Sequence, residues 1–506
     1  MKYIILLLLF PCAVFAQGNI SFGRIRAVGA FSGPSCPYCG GSKIYSNANS
    51  SDTSSFSSLR YMWGNGANIS SSAGQLLFYT NGWTLMDRNG QVVQGADSLS
   101  PTPYSLADLQ YGGNNFPQNS LFIQHDNDSS LYTMVHTTMF DSDISRGPLT
   151  VWRSKFKINT DSSISVIEKN IEIINDTVES AGVSACKHAN GRDWWVMIKN
   201  QFSTKSHLLL FTPDTLIFNL IETPGSALYD DGACKVFSPN GNYYATYASH
   251  AGGLRLYQFD RCAGTLSLMS IIPDPDNANS AGLGLSFSPS GRFLYFSNLE
   301  KIFRVDMQSN LQPADVQLVY TYTPFMDSAF GYLNVFHVME LGGDGKIYIN
   351  GSGGCRYYCT IDNPDEVNLA NIGYHHFNFK IPYFNNHTLT NHVNYSLGPL
   401  PGSPCDTLGL TVGKLQLNVP QLNIGPNPNN GNFNIHFSEQ KISGVLEVYD
   451  LNGQLLHTEY VSPWSNTKQL NLQNKLSNGM YALRLSFGEQ ASIVKFVVTN
   501  SPLERG

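Results

Sequence analysis

The sequence predicts an all-β chain: a β-propeller of seven blades, with six and eight as the adjacent counts, followed by a small C-terminal β-sandwich. Three observations carry that expectation. Short aromatic or β-branched runs flank glycine turns that return about every 50 residues, the signature of stacked four-stranded units. A proline-rich break then separates this array from a terminal segment with hairpin signals of its own. Finally, aromatic residues make up 12% of the 506 positions and glycine occupies 45 of them, a composition suited to pleated surfaces and tight turns.

The repeat is clearest in the middle of the chain. Asn190-Gly191-Arg192-Asp193-Trp194-Trp195 is followed by Phe237-Ser238-Pro239-Asn240-Gly241-Asn242-Tyr243, then by Phe287-Ser288-Pro289-Ser290-Gly291-Arg292-Phe293, then by Gly343-Asp344-Gly345-Lys346-Ile347-Tyr348. The turn glycines are separated by 50, 50 and 54 residues. Weaker copies stand near Gly74 and Ser130. Six hairpins with a mean spacing of about 54 leave room for about seven units between residues 17 and 400, with the ring closed by joining the two ends. Arg192 and Asp193 read as a turn ion pair set against an aromatic strand.

The Phe-Ser-Pro-x-Gly turn resembles the short repeats of TolB-like and lactonase-like propellers. Longer strings go further: Leu76-Leu77-Phe78-Tyr79-Thr80-Asn81-Gly82, Phe259-Asp260-Arg261-Cys262-Ala263-Gly264, Ile361-Asp362-Asn363-Pro364-Asp365 and Asn394-Tyr395-Ser396-Leu397-Gly398-Pro399. These resemble secreted, WD40-like propeller proteins of the Bacteroidota, some of them gliding-motility-associated, although no Trp-Asp dipeptide occurs. The resemblance implies a surface location and no established chemistry. The stretch from Ser32 to Asn68 departs from the pattern.

Residues 1–16 read as a signal peptide. Lys2 precedes the apolar run from Ile4 to Phe10, and cleavage is expected between Ala16 and Gln17. The rival reading, lipidation of Cys12, is disfavoured by Pro11, and no later segment is long and apolar enough to span a membrane. Export makes disulfides the leading reading of Cys36, Cys39, Cys186, Cys234, Cys262, Cys355, Cys359 and Cys405. Cys36-Pro-Tyr-Cys39 also has redox or zinc spacing, and Cys355 with Cys359 could complete a zinc set. On an extended strand those last two stand about 13 Å apart, too far for a bridge to each other.

The propeller is expected over residues 17–398, a Pro-rich linker that should be extended and exposed over 399–421, and a sandwich over 422–500. The last segment carries Pro426-Asn427-Pro428 with Gly431, then Tyr449-Asp450 with Gly453, then Gly479 and Tyr481 ahead of a strand holding Lys495. This order resembles the type A sorting domain of type IX secretion. The resemblance implies passage across the outer membrane by the type IX machinery, removal of the domain, and a cargo either anchored to surface lipopolysaccharide or released. An ordinary carbohydrate-binding sandwich is the alternative.

Chemistry is harder to read. A net charge of −6 and a pI near 6.0 argue against a nucleic-acid partner. There is no nucleophile elbow, zinc-protease helix, P-loop or sialidase box, and Asp274-Pro275-Asp276-Asn277 fails as a calcium loop at Ala278. No catalytic, cofactor or metal-ligating set is therefore assigned. His188 and His250 lie closest to repeat hairpins, and His375, His376, His387 and His392 cluster on a polar segment; solvated or hydrogen-bonded roles are the default for all of them. The leading expectation is a surface binding or scaffold module for a glycan or protein, and the alternative is a propeller hydrolase or lyase acting on an extracellular polymer.

Overall fold

The computed structural model divides the chain into two compact units, residues 1–407 and 408–506. The structure describes residues 25–30, 41–47, 50–56, 62, 64–71, 75–107, 114, 116–141, 147–225, 234–248, 252–276, 284–329, 331, 333–352, 354–385, 389–406, 422–450, 453–488 and 490–499. The expected cleavage point at Ala16 and Gln17, the Cys36/Cys39 pair, His250 and His387 lie outside the described residues.

Among the described residues of the first unit, seven antiparallel sheets follow one another along the chain, two of three strands and five of four. They are the blades of a propeller. Blade 1 holds Ile25–Ala30, Gly41–Asn47 and Ser50–Phe56, and blade 2 holds Ala67–Ser70, Leu76–Thr80 and Leu85–Asp87. Blades 3 to 7 begin at Ser120–His125, Ser184–Lys187, Cys234–Phe237, Gly284–Phe287 and Phe336–Leu341, and end at Ile164–Asn175, Leu216–Glu222, Thr265–Ile272, Gln317–Thr321 and Tyr374–Asn385. A two-stranded ribbon, Phe325–Met326 with Leu333–Asn334, precedes blade 7.

Burial follows this order. Ser184–Lys187 and Gly284–Phe287 are buried at every position, whereas Leu216–Glu222 has no fully buried residue. A sheet whose first strand is shielded on both faces needs neighbours on either side, so the blades stabilise one another. The repeat glycines supply the turns between first and second strands. Gly191, Gly241, Gly291 and Gly345 share φ values of 74, 74, 75 and 82°, a left-handed conformation open to glycine. Each donates its N–H three residues back, to His188, Ser238, Ser288 and Gly342, at 2.8–3.1 Å. The sequence repeat is thus one turn geometry used four times.

Two closures differ from expectation. Among the described residues, the two ends of the propeller do not share a blade. Instead blade 1 packs against the long last strand of blade 7, where Tyr383 N–H donates to Ser42 Oγ at 2.9 Å. The first part of the Pro-rich segment is not a free extended linker either. Leu400 N–H donates to the Ala189 carbonyl at 2.8 Å, and a disulfide joins Cys405 to Cys262. These links fasten residues 399–406 to blades 4 and 5.

The disulfide expectation is corrected for four cysteines. Cys186, Cys234, Cys355 and Cys359 are buried thiols. Cys186 and Cys234 lie on inner strands of different blades, and Cys355 and Cys359 lie on one extended strand, Cys355–Ile361. Burial pushes the Cys186, Cys355 and Cys359 thiols up to about 12, which suppresses the thiolate that disulfide exchange requires.

The second unit pairs a three-stranded sheet (Asn423–Gly425, Asn432–His436, Thr467–Asn471) with a four-stranded one (Leu455–Val461, Gly444–Tyr449, Gly479–Phe487, Gln490–Val498). Burial alternates along Gly444–Tyr449, as period-2 geometry requires of a one-sided sheet. Phe433, Leu446, Val448, Leu483, Leu485 and Phe496 form its separate core.

Candidate functional site

The axis of the propeller is part filled and part hollow. Residues 389–398 run through it as a strap fastened to several blades in turn. Asn391 N–H donates to Gly66 O at 2.8 Å, and its Nδ2 donates to Ser120 O at 3.1 Å and Val183 O at 2.8 Å. Asn394 Nδ2 reaches Pro239 O at 2.8 Å, the Tyr395 hydroxyl reaches Phe122 O at 2.5 Å, and Arg261 Nη2 reaches Gly398 O at 2.6 Å. Asparagine suits this task because its amide donates to carbonyls that the inner strand edges leave unpaired.

Between the strap and the first strands of blades 4 to 7 lies a cavity of about 590 Å³. Phe237, Phe287, Leu285 and Val338 give it an apolar body, and Asn240, Ser286, Asn391 and Asn394 give it polar points. Lys235, Glu340, Asp344 and His392 also line it. Lys235 is fully buried and its charge is answered by Glu179 at 3.1 Å. Glu179 also pairs with Lys199. Burial raises the Asp344 carboxyl above the usual range despite hydrogen bonds from the Tyr348 hydroxyl at 2.7 Å and Lys346 N–H at 3.2 Å. The cavity combines a greasy wall with scattered hydrogen-bonding groups, the character of a small-ligand site.

The four described histidines among those singled out from sequence are hydrogen-bonded. His188 Nε2 donates to the Cys262 carbonyl at 3.2 Å while Nδ1 accepts from Asn190 N–H at 3.1 Å, so one nitrogen holds the repeat turn and the other ties it to the outer hairpin of blade 5. His375 pairs with Asp362 at 3.2 Å, His376 bonds Tyr374 and the Thr323 carbonyl, and His392 reaches Asn68 Oδ1 at 3.1 Å. Among the described residues, no group of three or more His, Cys, Asp or Glu side chains is arranged to hold a metal ion. Arg192 and Asp193 form the expected turn ion pair, at 2.7 Å. Sequence reasoning missed the strap. Its signal was the pair Asn391 and Asn394, legible only once the carbonyls they meet are known.

In the second unit the motif residues build turns. Asn427 Oδ1 accepts from Val497 N–H at 2.8 Å, which holds the Pro426–Pro428 turn beside the last strand. Gly431 has φ 92°, and a Cβ there would meet the Gln473 backbone nitrogen at 2.8 Å. Asp450 Oδ1 accepts from Gln454 N–H at 2.8 Å, and Gly453 donates to Asp450 O at 3.2 Å. Tyr449 and Ala482 are register partners, as are Gly479 and Val498. Tyr481 is buried with its hydroxyl on Ser477 O at 2.8 Å, and Lys495 stands exposed on the last strand.

Residues 423–499 match the family described as the secretion system C-terminal sorting domain. The C-terminal unit is a type IX sorting domain. The protein is accordingly secreted to the cell surface or the extracellular space, and the sorting domain meets the type IX machinery. Among the described residues, no helix is long and apolar enough to cross a membrane.

No curated protein matches the chain. Among solved structures, a protein described as a 6-phosphogluconolactonase from Bacteroides fragilis is 12% identical, over 72% of this chain and 96% of that one, at a TM-score of 0.40. One of the same description from Bacteroides uniformis is 14% identical, over 65% and 95%, at 0.38. PorZ, a surface component of the type IX secretion system of Porphyromonas gingivalis, is 11% identical, over 90% and 68%, at 0.31. Likenesses this distant carry no functional weight.

Proposed function

We propose that the protein is a binding module delivered to the exterior by its sorting domain, with the axial cavity as its ligand site. The cavity carries this reading: about 590 Å³, walled by blades 4 to 7 and the strap. The polar points named above are uncharged and stand beside a buried ring, Phe287, and a half-buried one, Phe237, a combination suited to the end of a glycan. The mature chain begins at Gln17 in this reading, and the cargo is either held on surface lipopolysaccharide or released once the sorting domain is removed.

The test is glycan-array binding by the full mature chain, compared with Gly343→Trp, a substitution that crowds the cavity. Retention of a glycan by the parent and its loss in the variant supports the module. Equal binding by both, or none by the parent, refutes the axial site. A second reading, a propeller hydrolase or lyase acting on an extracellular polymer, draws on Glu340, Asp344 and His392 lining the same cavity. Polymer turnover that Glu340→Gln abolishes would establish it.

A further inference from the structure

The outer strand of blade 4, Leu216–Glu222, is an open sheet edge. It is the last strand of its sheet, and among the described residues no strand pairs with its far side. Its inner side is settled by the hairpin: Thr212 N–H donates to Thr215 O and Thr223 N–H to Thr204 O, in an unbroken register from Leu216 opposite Phe211 to Glu222 opposite Lys205. Antiparallel alternation then turns the backbone groups of Ile217, Asn219 and Ile221 inward and those of Leu216, Phe218, Leu220 and Glu222 outward. Native sheets guard such edges with bulges, charges or proline, and the other four-stranded blades do so. Register shifts break the outer strands of blades 3, 5, 6 and 7. Blade 3 adds Glu168, Lys169 and Glu172 there, and blade 7 adds Lys380 and Pro382. Leu216–Glu222 has no bulge, no proline and no charge before its last residue. Instead Ile217, Phe218 and Leu220 are 46, 54 and 53% exposed. Leu268 and Ile271, on the outer strand of blade 5, stand exposed beside that strand.

We propose that this edge pairs with the same strand of a second copy of the chain, antiparallel about a two-fold axis at Asn219. The segment Ile217-Phe218-Asn219-Leu220-Ile221 reads alike in both directions by chemistry. In that register Ile217 of one protomer lies opposite Ile221 of its partner on one face, and Phe218 opposite Leu220 on the other, both favourable cross-strand pairs. The outward groups of Leu216, Phe218, Leu220 and Glu222 then fall in place for about eight backbone hydrogen bonds. Moving the axis to Phe218 or Leu220 would set Ile217 or Ile221 against Asn219, so the apolar pattern selects this register. Glu222 lies opposite Leu216, which leaves the two carboxylates at opposite ends of the ribbon, about 20 Å apart. Ile217, Phe218, Leu220, Leu268 and Ile271 offer roughly 500 Å² of apolar surface per copy, the size of patch that marks an interaction site. With the backbone edge this nears the roughly 800 Å² per partner of a stable interface. The pairing uses the rim of the propeller and leaves the axial cavity untouched.

Sedimentation equilibrium of the full mature chain should show a dimer with a Kd on the order of 1–10 µM. Leu220→Lys should weaken it at least about 30-fold by placing a charge inside the pairing, and should keep the parent's melting temperature because Leu220 is half exposed. Leu318→Lys, the same change on the outer strand of blade 6, should leave the dimer within about twofold. Asn219→Cys sets the two substituted residues opposite each other with Cα atoms about 4.5 Å apart, within disulfide reach, so mild oxidation should yield a covalent dimer. Ile217→Cys sets them about 14 Å apart and should stay at the parent's background. A parent that remains monomeric at about 100 µM, far above that Kd, leaves the edge to some other strand and overturns the proposal. So does a dimer that survives Leu220→Lys, or one that Ile217→Cys traps as readily as Asn219→Cys. Should Leu220→Lys fail to fold, the comparison of Asn219→Cys with Ile217→Cys decides alone.

Discussion

Arg261 donates to the carbonyl oxygen of Gly398 at 2.6 Å, joining residues 137 apart in sequence. The same guanidinium donates to Lys187 O at 2.8 Å and His188 O at 3.2 Å, and Trp195 Nε1 donates to the Arg261 carbonyl at 2.8 Å. One buried arginine therefore binds the repeat turn of blade 4, the outer hairpin of blade 5 and the end of the strap. The neighbouring Cys262 adds the covalent link to Cys405. The string from Phe259 to Gly264 is a clasp that keeps the strap in the axis, and the strap is one wall of the cavity.

Removing that covalent link should loosen the strap. The Cys262–Cys405 bond closes a loop with a sequence separation of 143, for which loop entropy gives about 4–5 kcal/mol as an upper expectation. Cys262→Ser with Cys405→Ser should lower the denaturation midpoint of the propeller and raise hydrogen exchange over residues 389–406. The sorting unit's own transition should stay in place. Unchanged exchange in the strap would mean that Arg261 and the asparagines hold it unaided.

Glycine substitutions separate turn strain from crowding. Gly241 has φ 74°, and a Cβ there would lie 2.6 Å from Arg261 Cδ and 2.7 Å from Cys186 Sγ. Gly402 has φ 77° and nothing within 4 Å. Gly402→Ala should therefore cost only the left-handed penalty, about 1–2 kcal/mol, while Gly241→Ala should cost at least about 2 kcal/mol more through overpacking. Chemical denaturation of the two variants measures the difference.

How much was readable depended on whether the signal was local. Gly191, Gly241, Gly291 and Gly345 announce their turns because a left-handed residue flanked by apolar strands is a short-range pattern, and the sheets follow from it. Blade 1 was opaque: its strand Ser50–Phe56 reads Ser-Ser-Asp-Thr-Ser-Ser-Phe, with no apolar alternation. The disulfide partner of Cys262 and the carbonyls that Asn391 meets lie more than a hundred residues away, and nothing in the chain nearby encodes them. The cavity has the same character, since inner strands of four blades and the strap each contribute a few residues.

Acid should destabilise the propeller through His136. This ring is fully buried, with Nδ1 on Ser100 Oγ at 2.7 Å and Nε2 on Ser154 Oγ at 2.9 Å. Burial lowers it to about 3, against about 6.5 in an unfolded chain. The folded state holds it neutral while the unfolded state takes up a proton, so its contribution is complete above about pH 6.5 and is lost progressively toward pH 3. Melting temperature should fall with pH across that window, and less steeply in His136→Gln. In NMR the His136 ring should not titrate between pH 8 and 5.

Arg304 explains a second family string. It is fully buried, its Cζ 4.4 Å from the Phe293 ring centroid. It donates to Gln317 Oε1 at 2.8 Å, Glu366 O at 2.6 Å and Val367 O at 2.5 Å. The Tyr295 hydroxyl adds a bond to Pro364 O at 2.9 Å. Blade 6 thus holds the loop that follows Ile361-Asp362-Asn363-Pro364-Asp365 in blade 7, and the arginine is the group that spans the two. Arg304→Met keeps much of the packing volume but removes the donors to the Glu366 and Val367 carbonyls, on residues that are themselves exposed, a loss of about 1–3 kcal/mol. Hydrogen exchange over residues 362–372 should accelerate before any other part of the propeller responds. If exchange rises uniformly across all blades instead, the arginine stabilises the ring as a whole and its role as a clasp between two blades is wrong.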